Sequence, residues 1–410
     1  MTVGAPSARG LRTREAIIDA ATTLFASQGF RTASLRDIAQ AAGITHPGLR
    51  RHFASKDEIL LAVVDRYETE TAAWADAGGL SMPAAARIAE HHRVQPGYLA
   101  TFTALAGEAT ATRHPAHAHM RKRYADVRAA SAAQFRAAQA AGDVHADHDP
   151  DRLAVQYPAA WDGLQLLELL TPDRVSVIAA LREAGERLQH PLPAFDRRTP
   201  RDARRPVALT PPDPPDTRAG YASGRARRAR IVADATRLYA ERGYGATSMN
   251  DVAQRVGVSK STLFHHYPTK ETLLIEVLVA RDRSIGQAGG DEVASAADAL
   301  RAFADTARRN AERSPGLIEV HAVLSCEASA AEHPARPYFI ARYRHLLDAT
   351  TDLFRTAQAD GDLAPDRDPA FEAAWLIALW DGLQIQWLYD RSAVDVGEEL
   401  ADHLARVLPR

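Results

Sequence analysis

The sequence has one cysteine, few lysines and no long apolar run. Because Cys326 is the only cysteine among 410 residues, no disulfide can form within the chain. The most apolar stretches, such as residues 273–280 around Glu276, are too short to span a bilayer. These absences predict a cytoplasmic protein that does not insert into a membrane.

The net charge of −2 conceals two basic segments. Residues 225–283 hold eleven basic side chains against six acidic ones, and residues 9–66 hold nine against six. Three of the four lysines, Lys56, Lys260 and Lys270, lie in these segments. Such local asymmetry is typical of nucleic-acid-binding modules, even in a chain whose total charge is near zero.

An internal repeat covers almost the whole chain. Gly29-Phe30 aligns with Gly243-Tyr244 at an offset of 214 residues, and Lys56 aligns with Lys270 at the same offset. Further along, Trp-Asp-Gly-Leu-Gln at residues 161–165 recurs at 380–384, an offset of 219. One insertion of five residues therefore relates two copies of nearly two hundred residues each.

A segment rich in proline and arginine separates the copies. Eight prolines lie between residues 191 and 215, a density that prevents a helix and predicts an extended linker with a reach of about 110 Å. We therefore expect five regions: a first helix-turn-helix domain at 9–67, a first helical domain at 68–190, a linker at 191–224, a second helix-turn-helix domain at 225–283 and a second helical domain at 284–410.

The first part of each copy predicts a short helical bundle. In copy one, Ser34 and Asp37 have the spacing of a capping box at the start of a helix. Gly43 interrupts this helix, and Thr45 is placed to cap the next one. Helix, tight glycine turn and helix form a helix-turn-helix. The corresponding residues of copy two are Ser248, Asp251, Gly257 and Ser259.

These motifs resemble the N-terminal signature of the TetR family. The resemblance rests on residues 29–39, 43–45 and 52–61 of copy one, and residues 258–271 of copy two match the pattern almost position by position. It implies an all-α fold with two TetR-like units, each a helix-turn-helix bundle followed by a helical ligand-binding and dimerisation domain. We expect the two units to form an internal pseudo-dimer. Arg50 replaces the usual aromatic residue, which leaves the base preference of copy one open.

The helix-turn-helix domain of each copy, which we call its head, is predicted to bind the phosphates of the DNA backbone and to contact the bases. Helix N-termini and lysines suit phosphates, whereas Arg50 and Arg51 suit guanine edges and Lys260, Thr262 and His265 present different donors. The heads should therefore read different bases. The predicted DNA-binding residues are Ser34, Thr45, His46, Gly48, Arg50, Arg51, Lys56, Ser248, Ser259, Lys260, Thr262, Phe264, His265 and Lys270.

The second part of each copy predicts amphipathic helices rich in Ala and Leu. By resemblance they hold the effector pocket and the dimer interface, for which Trp161 and Trp380 are the predicted residues. Expected pocket residues in copy one are His92, Tyr98, Phe102 and Met120. Expected pocket residues in copy two are His321, Leu324, Cys326 and Phe339.

Three alternatives remain open from the sequence. A metal-dependent enzyme would use His114, His117 and His119, or His145 and His148. Copy two has Arg336 and Tyr338 in place of His117 and His119, and Ala364 and Arg367 in place of His145 and His148. A regulator with only one DNA-binding head is the second alternative, and a dimer of whole chains with four heads is the third. No catalytic residue, metal ligand or cofactor is predicted.

The predicted function is that of a transcriptional repressor released from its operator by a small molecule. The sign of regulation comes from the resemblance alone. The expected partners are a double-stranded DNA operator with two dissimilar half-sites and an effector that the sequence does not identify.

Overall fold

A computed structural model describes residues 8–28, 30, 33–78, 82–95, 97–192, 222–242, 247–288, 295–313, 315–331, 333 and 335–408. Its regular structure in these ranges consists of eighteen helices, as the predicted all-α fold requires. Unit one contains α1 (Ala8–Gln28), α2 (Leu35–Ala41), α3 (His46–Leu49), α4 (Lys56–Gly78), α5 (Met82–Val94), α6 (Tyr98–Glu108), α7 (His117–Ala141), α8 (Pro150–Leu170) and α9 (Val177–Arg187). Unit two contains α10 (Ala222–Arg242), α11 (Met249–Val256), α12 (Lys260–His266), α13 (Lys270–Ala288), α14 (Ala296–Arg313), α15 (Pro315–Glu327), α16 (Arg336–Ala359), α17 (Pro369–Tyr389) and α18 (Val396–Val407).

Head one is the bundle of α1 to α3 with the start of α4. The Ser34 hydroxyl accepts a hydrogen bond from the Asp37 amide at 3.2 Å, and the Asp37 carboxylate accepts one from the Ser34 amide at 3.0 Å. This reciprocal capping box is the one that the sequence predicts. Gly43 has φ +67°, a left-handed conformation that ends the helical run and allows the tight turn. Leu49 and Phe53 then anchor the second half of the motif in the core.

Head two, formed by α10 to α12 with the start of α13, repeats this construction. Ser248 and Asp251 form the second capping box, and Gly257 caps α11 at φ +74°. Leu263 is fully buried and Tyr267 nearly so, so they fix α12 on the bundle as Leu49 and Phe53 fix α3. The expectation of two complete helix-turn-helix modules is confirmed.

The two units pair through α8 and α17, which make the most extensive helix contact of the described residues. A Cβ added to Gly163 would lie 1.9 Å from the carbonyl oxygen of Ala378, and one added to Gly382 would lie 1.8 Å from that of Ala159. These two contacts are equivalent at the offset of 219 residues. The pairing is therefore reciprocal, as in a two-fold dimer, but it is formed within one chain. We call this contact the seam.

A second contact between the two units joins the helices on which the heads pack. α6 packs against α15, and each of them also packs against the first helix of its own head, α1 and α10 respectively. A Cβ on Gly107 would lie 2.5 Å from the Cβ of Cys326. The Tyr389 hydroxyl donates to the Ala106 carbonyl at 2.8 Å, so the seam also carries buried polar contacts.

Charged side chains close the far end of the seam. Arg152 donates to Glu399 at 2.8 Å, and Gln156 donates to the same carboxylate at 2.8 Å. Arg187 of unit one pairs with Glu372 of unit two, whose side chain is almost fully buried. Arg367 of unit two also donates to Glu372 at 2.8 Å, so arginines of both units compensate this buried carboxylate.

The prediction that Trp161 and Trp380 form the interface needs correction. Trp161 lines a cavity inside unit one, and the Trp380 ring packs against Phe303 of unit two at 5.3 Å. The seam is instead formed by Gly163 and Gly382, which lie two residues further along. At 3.6 residues per turn, two positions are about 200° apart around a helix, so the tryptophans point away from the seam.

Some predictions fall outside the described residues. Most of the linker, residues 193–221, lies there, as do Gly29 and Gly243, which align with each other in the internal repeat. Within the described helices, none is both long and apolar enough to cross a bilayer.

Candidate nucleic-acid interface and internal cavity

Head two presents a seven-residue recognition helix, α12. The Ser259 hydroxyl caps it by accepting from the Thr262 amide at 3.1 Å. Lys260, Phe264 and His265 are exposed, while Leu263 between them is fully buried. An exposed phenylalanine costs free energy in water, and 38% of Phe264 is exposed. The outward face of α12 therefore combines an ammonium, an aromatic ring and an imidazole.

Head one presents a shorter and more basic face. α3 has four residues, and the Thr45 hydroxyl caps it by accepting from the Gly48 amide at 3.2 Å. Pro47 occupies its first turn, where the missing amide hydrogen has no helical partner to lose. Arg50 and Arg51 follow directly and are exposed. His46 is half-buried at the start of the helix.

The two faces offer different chemistry at equivalent positions. Guanidinium groups such as those of Arg50 and Arg51 can bind guanine through two hydrogen bonds, whereas the imidazole of His265 and the ring of Phe264 cannot reproduce that geometry. Of the predicted residues, Arg50 and Arg51 in head one and Lys260, Phe264 and His265 in head two are exposed, whereas His46, Lys56 and Lys270 are half-buried. Their contacts with bases stay predictions.

Lys56 has a role within head one that the sequence does not reveal. Its ammonium donates to the carbonyl oxygens of Phe30 at 2.6 Å and Ala33 at 2.9 Å, and lies 4.4 Å from the centre of the Phe30 ring. Partial burial lowers its pKa from the usual value. Lys56 thus tethers the loop before α2, and its predicted phosphate contact stays a prediction. Lys270 begins α13 at the equivalent position and is half-buried.

A depression in head two adds two arginines to the residues predicted to contact DNA. Arg227 and Arg230 of α10 line it together with Gly257, Ser259 and Thr262, at the start of the recognition helix. Both arginines are exposed. The signal in the sequence is the basic run at residues 225–230, whose charge alone does not assign contacts. Positive side chains beside a helix N-terminus suit a phosphate of the DNA backbone.

Unit one encloses a cavity of about 570 Å³ between α4, α5, α6, α7 and α8. His92, Tyr98 and Phe102 line it, as does Trp161. Met120, the fourth predicted pocket residue, is fully buried and is not part of this lining. The volume is in the range of pockets that hold drug-sized molecules.

Aromatic rings form one wall of this cavity. The His92 ring stacks on Tyr98 with 3.9 Å between ring centres, and Tyr98 stacks on Phe102 at 5.9 Å. His92 Nε2 lies 2.8 Å from the Thr71 hydroxyl. Burial lowers the pKa of His92 to about 3, so this wall is uncharged at neutral pH.

Charged groups form a second wall and neutralise one another. Glu68 faces Arg123 at 3.2 Å and His119 at 3.1 Å, and its hydrogen bond raises the pKa of His119. Asp162 accepts a hydrogen bond from the Tyr124 hydroxyl at 2.9 Å, while burial raises the pKa of the Asp162 carboxyl to about 6. Each charged group of this wall thus has a polar or oppositely charged neighbour.

The histidines considered for a metal site contact separate partners. His114 Nδ1 accepts from the Ala116 amide, His117 lies against the Ala109 carbonyl, and His119 against Glu68. His145 and His148 likewise contact Asp147 and the His190 carbonyl. Asp65, Glu68 and His119 do lie within 4.8 Å of one another. Because Glu68 is already paired with Arg123, we interpret these three residues as part of the ion-pair wall.

The predicted pocket residues of unit two are packed in its core. His321, Leu324 and Phe339 are buried, and the rings of His321 and Phe339 lie 5.8 Å apart. His321 Nε2 is 3.6 Å from the carboxylate of Asp381. Cys326 is fully buried against Gly107, and burial raises its pKa far above the usual value, so its thiol is not activated.

Comparison with known families matches both heads. The family model described as bacterial regulatory proteins, tetR family, matches residues 17–63 and again 231–277. A tetracyclin repressor-like C-terminal domain matches residues 87–183, and a BetI-type transcriptional repressor C-terminal domain matches residues 287–409.

Individual relatives match one stretch of less than half the chain. The HTH-type transcriptional repressor KstR of Mycobacterium tuberculosis is 31% identical over 193 residues, which are 45% of this chain and 82% of KstR. The A-factor receptor protein of Streptomyces griseus is 25% identical over 181 residues, 44% of this chain and 61% of that protein. The chain thus spans less than two thirds of the length of the A-factor receptor.

Among solved structures, a transcriptional regulator from Saccharomonospora viridis in complex with choline is 27% identical, with a TM-score of 0.39 over 46% of this chain and 100% of its own. AibR in complex with isovaleryl coenzyme A and operator DNA is 24% identical, with a TM-score of 0.33 over 45% of this chain and 98% of its own.

Proposed function

The chain belongs to the TetR family of DNA-binding transcriptional regulators, and on this premise we propose that it is a repressor that a small molecule releases from an asymmetric operator. The observation that carries the proposal is the pairing of two unlike recognition surfaces within one chain. α3 with Arg50 and Arg51 and α12 with Lys260 and His265 occupy equivalent places in two heads joined by a reciprocal seam.

Operator asymmetry follows from this arrangement. In a homodimer, identical heads favour a palindrome because the symmetry of the operator mirrors that of the protein. Here the two heads differ in side chains and in the length of the recognition helix, four residues against seven. The proposed operator consists of two dissimilar half-sites, each read by one head.

The cavity supplies the proposed means of release. α4 begins in head one at Lys56 and continues along the cavity, where Val64, Tyr67 and Glu68 line the wall. A molecule that fills the cavity acts directly on the helix that leaves the head. α6, which also lines the cavity, packs against α15 of unit two, and α15 packs against α10 of head two. This chain of contacts links the cavity to both heads.

The domain boundaries proposed from the sequence suit this mechanism. We place head one at 9–67 and head two at 225–283, with helical domains at 68–190 and 284–410 and a linker at 191–224. Each head contains one stretch that matches the family model, residues 17–63 and 231–277. The relative KstR of Mycobacterium tuberculosis is described as a transcriptional repressor, which supports the sign of the proposed regulation.

A footprint of the purified chain on the DNA beside its own gene tests the proposal. Protection of one specific site is expected, with an affinity that falls by roughly a thousandfold or more between 50 and 200 mM salt if about six phosphates are contacted. Random DNA of equal length is the control. Equal affinity for random and native DNA, or an affinity that does not respond to salt, would refute DNA binding as the function.

A further inference from the structure

The space beside two equivalent tryptophans differs between the units. In unit one, Trp161 lines the cavity together with His92 of α5. In unit two, the ring of Phe303 on α14 lies edge-on to Trp380 with 5.3 Å between ring centres, and Phe303 is buried. Unit one has Ala84 at the sequence position equivalent to Phe303. Unit two therefore carries a large ring where the sequence of unit one offers only a methyl group.

The helices around this space are placed differently as well. In unit two, α14 packs along both α16 and α18. In unit one, the corresponding α5 packs on α9, and the cavity lies between α5 and α7. The side chains of the wall change accordingly. His92, Tyr98 and Phe102 of unit one correspond to Ala311, Leu317 and His321 of unit two.

The cavity of unit one also restricts the charge of its ligand. Its charged residues all have partners: Arg123 and His119 face Glu68, Lys122 pairs with Asp126, and Asp162 accepts a hydrogen bond from Tyr124. A charged ligand would have to compete with these contacts or remain uncompensated. Some polar atoms of its uncharged residues are available to form hydrogen bonds with a ligand. Among the described residues, the indole nitrogen of Trp161, Nδ1 of His92 and Oε1 of Gln165 are buried without a hydrogen-bond partner. A neutral ligand can satisfy such atoms at no electrostatic cost.

We propose that the chain binds one effector molecule, in unit one alone, and that this effector is an uncharged, mainly apolar ring compound with one or two hydrogen-bonding groups. The inference rests on the proposed function, since it defines the ligand that would release the operator. The two units would then differ in effector binding as well as in the bases that they contact. Unit two would respond to the effector through its contacts with unit one.

The test uses two fluorescent probes that share their rings and differ in charge. N-phenyl-1-naphthylamine is uncharged, and 8-anilino-1-naphthalenesulfonate carries one negative charge. Titration of the full chain is expected to saturate at one N-phenyl-1-naphthylamine per chain, with binding of the sulfonate at least roughly tenfold weaker because the sulfonate loses its hydration. Two equivalents per chain, equal affinity for both probes or absence of binding would overturn the inference.

Matched substitutions locate the site. Ala85→Phe on α5 and Ala130→Phe on α7 each place a ring in the lining of the cavity, and each should lower the affinity for the uncharged probe by about tenfold or more. Phe303→Leu on α14 is the control in unit two and should change neither affinity nor stoichiometry. Circular dichroism shows which variants fold. One folded variant, Ala85→Phe or Ala130→Phe, is enough to locate the site. Loss of binding in Phe303→Leu, or unchanged binding in a folded Ala85→Phe or Ala130→Phe variant, would contradict the assignment to unit one.

The same protein preparations separate this inference from the proposed function. Each is tested on DNA from beside its own gene. If specific DNA binding is absent, the proposed function fails, whatever the probe stoichiometry. If specific DNA binding is present and two probes bind per chain, only the present inference fails.

Discussion

At the scale of single residues, the head of unit one depends on a lysine with a structural contact. Lys56 joins α4 to the loop before α2 through two carbonyl oxygens, those of Phe30 and Ala33. Hydrogen bonds from a charged donor to partly buried acceptors are among the stronger side-chain interactions, at about 1.5 to 3 kcal/mol. The same ammonium is a candidate for a phosphate contact, so its loss has two separable effects.

We expect Lys56→Ala to lower the free energy of unfolding by about 1.5 to 3 kcal/mol, because two carbonyl oxygens lose their donor and water replaces part of that loss at this partly exposed site. Urea denaturation in the absence of DNA measures this effect. Lys122→Ala is the matched control, since Lys122 is exposed and its ion pair among the described residues is with Asp126 one helical turn away, a contact between exposed groups that contributes little to stability. Equal stability of the two variants would exclude the tether.

His92 sets a dependence of stability on pH. Burial lowers its pKa to about 3 in the folded chain, whereas an unfolded histidine titrates near about 6.5. Between these values the unfolded state binds the proton and the folded state does not. The contribution of His92 to stability is therefore complete above pH 6.5 and is lost as the pH falls toward 3.

The variant His92→Phe retains an aromatic ring against Tyr98 but cannot bind a proton. Its stability should fall less steeply than that of the wild type between pH 6.5 and pH 4, with a difference on the order of a few kcal/mol at the lower end. Urea midpoints at several pH values provide the measurement. His265→Phe, at an exposed position on head two, controls for the loss of a histidine. Parallel pH profiles for wild type and His92→Phe would disprove the assignment.

A residue's role can be predicted from the sequence when its contact partners are close to it in the chain. Ser34, Asp37 and Gly43 act within one turn of their own chain, so spacing alone predicts the capping box and the break. The partners of Lys56 lie 23 and 26 residues away in the chain, and spacing does not reveal such contacts. In unit two, Phe303 beside Trp380 is again a tertiary contact, which the pocket prediction for that unit does not include.

At the scale of helices, the seam is determined by small residues. α8 and α17 are apolar on most of their surface, so their sequences predict burial but not which face meets the partner. Trp161 is the conspicuous residue of α8 in the sequence, yet the close approach of backbones occurs at Gly163. A contact between backbones requires the absence of a side chain, which is a weak signal in a sequence.

Gly107 and Cys326 occupy equivalent positions of the two units and contact each other, so they lie on the pseudo-two-fold axis. Gly107→Ala should destabilise the chain by about 1 to 3 kcal/mol, because the new methyl group meets Cys326 at less than van der Waals distance. Cys326→Gly alone should destabilise it as well by leaving a void. The double variant should be more stable than the sum of the single effects predicts, by about 1 kcal/mol or more.

Urea unfolding of all four proteins completes this double-mutant cycle. Gly224→Ala in α10 serves as the control for an added methyl group, because a Cβ at this position would have no other atom within 4 Å and alanine favours the helix. Additive single effects would show that the two residues do not interact in solution.

At the scale of the whole molecule, the two heads differ, so a substitution in one head should affect only the half-site that this head contacts. Replacing Arg50 by Phe and Arg51 by His gives head one the side chains that head two has at Phe264 and His265. Base preference should change in one half-site, with about 1 to 3 kcal/mol lost for each guanine contact removed, and stay unchanged in the other.

Binding-site selection with both proteins measures this change at each position. The reciprocal variant, with Phe264 and His265 replaced by Arg, should alter the opposite half-site only. A perfectly palindromic operator, or a change in both half-sites from one substitution, would instead indicate a dimer of whole chains.

On the proposed function, a seam closed inside one chain also changes how repression scales with copy number. Two separate subunits must meet before they occupy an operator, so at low expression the active species grows with the square of their concentration. Here the partner of α8 is α17 of the same molecule, and tethering keeps it at an effective concentration that dilution does not alter. Operator occupancy therefore rises in proportion to the number of chains, and a cell with only a few molecules retains a fully paired regulator.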